Sequence, residues 1–165
     1  MNKQEALDLS LKSYSRYFNI KTEDIEAPFS AEAEFVSHNE QYWLVKAAKL
    51  ADVDSNEFVF FALVDTLTKE RLTELDKTAW ERGLSRVIPS SSHRNTDVTL
   101  VIIADNIEED AFLTVKKLKH YKSYKMSLWG WSNYKAIAME LSLKRLTTNR
   151  QGQALKKIFN NIINK

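Results

Sequence analysis

The chain has 165 residues and a mass of 19.1 kDa, which suits one domain spanning residues 1–165, because single cores settle at about 100–200 residues. Its 44% hydrophobic content, with eight Phe, six Tyr and four Trp against only three Gly and two Pro, excludes a disordered segment. The absence of cysteine excludes disulfides, thiolate metal ligation and thiol nucleophiles and fits a cytoplasmic protein.

The net charge of +2 conceals a polarity. Residues 1–110 hold 12 Lys/Arg against 21 Asp/Glu, a balance of −9, whereas residues 111–165 hold 12 Lys/Arg against Glu140 alone, a balance of +11. Such segregation points to a partner of opposite charge without naming a reaction. The first residues lack the apolar core of a secretory signal. The longest apolar runs, 58–64 and 98–104, fall far short of the roughly 20 residues that span a bilayer as a helix. A soluble protein without a membrane partner is expected.

In chain order, Leu7, Leu11, Tyr14 and Phe18 make one apolar stripe if residues 4–18 are helical. After Pro28, residues 31–37 and 40–52 are expected as strands joined by a His38-Asn39 turn. Asp54-Ser55-Asn56 is expected to turn into a strand over 57–64, whose nearly unbroken apolar run suits a central position with both faces buried. Thr66 or Thr68 can cap a helix reaching Arg82, with Leu72, Leu75 and Ala79 inward and Gly83 as its terminator. Pro89, three consecutive serines and Asn95 predict a surface loop over 85–96. A second central strand over 98–104 follows, then a helix opening with Glu108, Glu109 and Asp110 and burying Phe112, Val115 and Leu118. Residues 124–131 and 134–143 are expected as a hairpin turning at Ser132-Asn133, and 147–152 as a further turn. The last helix, over 153–163, presents Leu155, Ile158, Phe159 and Ile162 on one side. The order α-β-β-β-α-β-α-β-β-α predicts an α/β (α+β) fold, a mixed sheet of about six strands flanked by helices.

Within the basic third, Lys116, Lys119, Lys122, Lys125, Arg145 and Arg150 are the candidate residues for binding nucleic acid or another anion. Tyr121, Tyr124, Trp129, Trp131 and Tyr134 are interleaved with this series. The alternative is a solvated face that meets an acidic protein surface or a second copy of the chain in a homodimer, as a structural or interaction domain without catalysis. Asn149-Arg150-Gln151-Gly152 reads as a reversal and cap before the last helix, and no phosphate-loop or dinucleotide glycine motif is present.

A third reading is a divalent-metal-dependent nuclease, for which Glu32, Glu34, Glu40, Asp52, Asp54 and Glu57 supply acids, with Lys46 and Lys49 nearby. His38, His93 and His120 form no short ligand motif and are expected as a turn, a loop and a helix-end residue. Ser90-Ser91-Ser92-His93 has no evident geometry for activating a hydroxyl. No catalytic residue, metal site or cofactor is assigned.

The element order resembles the restriction-endonuclease-like nuclease fold, in which a helix and a three-stranded meander precede a helix and further strands. That pattern places an acid on one strand and an acid-spacer-lysine group on the next. Here the third strand reads Glu57-Phe58-Val59-Phe60 without the lysine, and Lys46 stands six residues after Glu40. Independently, Glu40-Gln41-Tyr42-Trp43-Leu44-Val45-Lys46, Asn56-Glu57-Phe58-Val59-Phe60-Phe61, Leu118-Lys119-His120-Tyr121-Lys122-Ser123-Tyr124-Lys125 and Thr148-Asn149-Arg150-Gln151-Gly152 resemble a family of small uncharacterised bacterial proteins over nearly the whole chain. This resemblance implies an intact, soluble bacterial protein and carries no reaction, cofactor or catalytic residue.

Overall fold

The computed structural model describes residues 1–36 and 54–165. The expected strand over 40–52 and the His38-Asn39 turn lie outside these residues. Helix α1 (Lys3–Tyr14) starts in a capping box: the Asn2 side chain accepts from the Glu5 amide and the Glu5 carboxylate accepts from the Asn2 amide, both at 2.9 Å. It ends before Phe18, which folds back edge-on against Tyr14 with ring centroids 4.9 Å apart. The stripe is therefore real, but its last residue packs from beyond the helix.

Strands β1 (Asn19–Lys21), β2 (Ala31–Val36) and β3 (Asp54–Leu67) form an antiparallel meander. Asp54-Ser55-Asn56, expected as a turn, belongs to β3 because β4 (His93–Ile107) pairs with it in parallel along that length. Helix α2 (Lys69–Ser85), capped by the Thr68 side chain accepting from the Arg71 amide at 3.1 Å, makes the crossover. It runs past Gly83, which is buried inside it. Strand β4 starts inside the expected loop, where the buried His93 anchors it.

Helix α3 (Glu109–Val115) leads to β5 (Tyr121–Ser123), β6 (Trp131–Glu140) and β7 (Arg145–Thr148), and a short 3-10 turn, Gln153–Leu155, opens α4 (Lys156–Ile163). The hairpin turn expected at Ser132-Asn133 lies instead over 124–130; those two residues pair with Thr96 and Asp97 of β4. Part of the expected 147–152 turn is β7, antiparallel to β6. β6 runs parallel to β4 on one side, while β5 and β7 share its other side end to end.

The result is the expected mixed α/β fold; the described residues form a seven-stranded sheet in the order β1-β2-β3-β4-β6-β5 with β7 added on β6. Strand alternation separates two cores. Phe58, Phe60, Leu100, Ile102 and Tyr134 face α2 and α3, while Val59, Phe61, Val101, Ile103 and Met139 face α1 and α4. Burying both faces explains the unbroken apolar runs in β3 and β4. Among the described residues no helix is long and apolar enough to cross a membrane.

Candidate functional site

β7 and the reversal after it build a groove against α3. The buried Asn149 side chain accepts from the amides of Ala136 (3.0 Å) and Gly152 (2.9 Å) and donates to the carbonyls of Tyr134 (3.0 Å) and Leu118 (3.1 Å). All four capacities of the amide are used, so the turn is locked. A Cβ at position 152 would stand 2.7 Å from the Ala136 carbonyl oxygen, which is why glycine sits there. Thr147 Oγ1 donates to the Phe112 carbonyl at 3.0 Å and ties α3 to β7.

These constraints bring Lys116 from the end of α3, Arg150 from the reversal and Lys156 from the first turn of α4 around a cavity of about 410 Å³, together with Phe112, Thr148 and Gln153. Gln153 Nε2 donates to Thr148 Oγ1 at 2.7 Å, which leaves the threonine hydroxyl hydrogen for another acceptor. Among the described residues no carboxylate pairs with Lys116, Arg150 or Lys156. Lys116 lies over the Phe112 ring, 5.4 Å from its centroid.

The other four candidate cations separate from this pair. Arg145 also covers Phe112, at 4.2 Å, but hydrogen bonds to Glu140 and Glu109 neutralise it and raise its pKa, the Glu140 bond foremost. Lys119 stands between α3 and β5. Lys122 lies over Tyr124 (5.6 Å), and Lys125 covers Trp129 (3.5 Å) at the β5–β6 turn. Sequence order suggested one series; the fold divides it and joins Lys156, a member of the same basic stretch outside the six candidates, to Lys116 and Arg150.

A second polar constellation lies on the opposite face of the sheet from α2 and α3. Lys135 of β6 donates to Asp97 of β4 at 2.7 Å and stands 3.5 Å from Glu57 of β3, which also accepts from Thr99 at 2.8 Å. Burial alone would lower the Lys135 pKa, but the Glu57 field and the Asp97 hydrogen bond raise it overall. Lys135 is thus a protonated clamp, unsuited to act as base or nucleophile near neutrality. The nearby Tyr14 hydroxyl is buried and has no hydrogen-bond partner among the described residues, and burial, assisted by Glu57, pushes its pKa up.

Of the other acids considered for metal chemistry, Glu32 is buried and accepts from Arg86 at 2.7 Å. Glu40 and Asp52, with Lys46 and Lys49, lie outside the described residues. Among the described residues no three His, Asp or Glu side chains are grouped to hold a metal ion.

His93, expected on a loop, is buried: Nδ1 lies 2.7 Å from the Trp129 carbonyl and Nε2 2.9 Å from Thr96 Oγ1. Because a carbonyl only accepts, Nδ1 carries the proton and Nε2 accepts from the threonine. Both nitrogens are engaged, so His93 activates none of the three serines before it. His120 lies 2.9 Å from Asp76 and stacks on Trp80, a packed position between α2 and β6 rather than a free helix end. His38 lies outside the described residues.

No curated protein and no solved structure matches the chain. A family model does match, over residues 2–161. The chain belongs to the family described as a domain of unknown function, DUF8052.

Proposed function

We propose that this protein binds a phosphate-bearing polyanion, nucleic acid foremost, in the groove between α3, β7 and α4. The observation that carries this reading is the convergence of Lys116, Arg150 and Lys156, unpaired among the described residues, on one cavity with the Thr148 hydroxyl. Three cations around a concave surface, without carboxylate partners among the described residues, attract phosphates and release their counterions, whereas Arg145 already has its carboxylates. The β1–β2–β3 meander followed by the α2 crossover supports a topological likeness to the nucleic-acid-cleaving fold that the element order resembles, without that fold's acid-spacer-lysine group. Beside this binding we propose a cytoplasmic location, which the absence of cysteine supports.

Fluorescence anisotropy with single-stranded and duplex oligonucleotides, run across a salt series, tests it. The variant K116A/R150A/K156A should bind at least tenfold more weakly, and its log K against log salt should flatten by about two to three, at roughly 0.7–0.9 for each phosphate no longer neutralised. Equal affinity and an equal slope in wild type and variant would sink the reading, as would no binding by the wild type. Adding Mg²⁺ to the same oligonucleotides separates binding from cleavage, since product formation would make the protein a nuclease.

A further inference from the structure

The β5–β6 turn carries three consecutive non-glycine residues in the left-handed region, Lys125 (φ 45°), Met126 (φ 53°) and Ser127 (φ 70°). L-residues resist this conformation, and such outliers persist only where surrounding structure over-determines them. Here the amides of Leu128, Trp129 and Gly130 donate to the carbonyls of Lys125 (3.0 Å), Tyr124 (3.1 Å) and Ser127 (3.3 Å). Gly130 closes the turn where a Cβ would stand 2.3 Å from the Arg94 carbonyl oxygen. The turn is a rigid mount, and what it mounts is apolar: Met126 is 92% and Leu128 78% exposed.

Because β4 and β6 are parallel, the segments that enter them leave the sheet at the same end. The α2–β4 connection there exposes Ile88 at 84%, and His93 joins the two segments through the Trp129 carbonyl. Lys122 and Lys125 flank the apolar tip, and no acid occurs between Asp110 and Glu140 in the sequence. The nearby acids Glu57 and Asp97 share one cation, Lys135, and are turned to it rather than to the tip.

We infer that this end of the sheet is a docking tip for an anionic lipid surface, with Met126 and Leu128 entering the acyl boundary and Lys122 and Lys125 meeting the headgroups. Aliphatic side chains flanked by two lysines match the two forces that hold peripheral proteins on such surfaces. A nucleic acid would reward neither Met126 nor Leu128, and the indole face of Trp129 that a base might stack on is covered by Lys125. The tip lies at the end of β6 opposite β7 and stands independently of the groove.

The full chain is tested by co-sedimentation with vesicles of 30% phosphatidylserine in phosphatidylcholine and with pure phosphatidylcholine. Wild type should partition onto the anionic vesicles only. M126N/L128Q, which keeps a residue tolerant of the left-handed conformation at 126, should lose about tenfold in partitioning. K122A/K125A should lose about 25-fold, at roughly fivefold per lysine. K116A/R150A/K156A should partition like wild type, and unfolding midpoints within a few degrees show that the variants are folded. Absence of wild-type partitioning overturns the inference. Undiminished partitioning of M126N/L128Q does so too, as does loss in the groove variant alone, which would assign lipid headgroups to the groove.

Discussion

Gly83 lies against Val98: a Cβ at position 83 would stand 2.5 Å from Val98 Cγ2 and 2.7 Å from Cγ1. The bare Cα lets α2 settle on β4, with both residues buried. Gly83→Ala should improve helix propensity by about 1 kcal/mol yet overpack the contact at about 1–3 kcal/mol. A net loss in denaturant titration is expected, and Val98→Ala in the same chain should relieve the clash. Additive losses in that double-mutant cycle would refute the contact.

Asn149→Ala leaves two amides and two carbonyls without their side-chain partner, so a loss of about 2–4 kcal/mol in unfolding free energy is expected. Asn149→Asp keeps the acceptor oxygens but turns a carboxylate toward the Tyr134 and Leu118 carbonyls. That variant should be weaker than wild type at pH 7 and recover part of the loss near pH 4, where the acid is protonated. A loss independent of pH would contradict the assigned amide orientation.

Lys135→Met leaves Glu57 and Asp97 together without their cation, and the half-buried site should lose about 1–3 kcal/mol at pH 7. The deficit should shrink as pH falls and the two acids protonate. In the wild type the Lys135 pKa is raised by folding, so its stabilisation is complete below its ordinary value of 10.5 and is lost as pH rises through the raised value. The variant should lack that alkaline component, as chemical denaturation at pH 9 and pH 11.5 would reveal.

Ser127→Gly removes a Cβ from a left-handed position at φ 70°. Relief of that conformation, at about 1 kcal/mol, outweighs the added flexibility of glycine in the unfolded chain, so a rise of a few degrees in melting temperature is expected. A lower melting temperature would mean that the turn stores no such strain.

The central elements were legible because their signals are local. The unbroken 58–64 and 98–104 runs predict strands buried on both faces, and they are. Leu72, Leu75 and Ala79 likewise point inward on α2. The errors gather at edges. Ser132-Asn133 has turn chemistry but lies in β6, because pairing with β4 on one side and β5 on the other outweighs local preference. His93 has loop neighbours, yet its ring fills a buried hydrogen-bonded position that no spacing announces.

Sequence by itself determined the mixed α/β class, the amphipathic helices and the accumulation of positive charge after residue 110, since periodicity and composition are properties of neighbouring residues. Only the tertiary structure decided which cations lie together. Lys116, Arg150 and Lys156 meet because β7 folds back on β6 and Asn149 locks the reversal, while Arg145, equally basic in sequence, is neutralised by Glu140 and Glu109. Proximity and pairing depend on strand registry between distant segments, which sequence order does not encode locally.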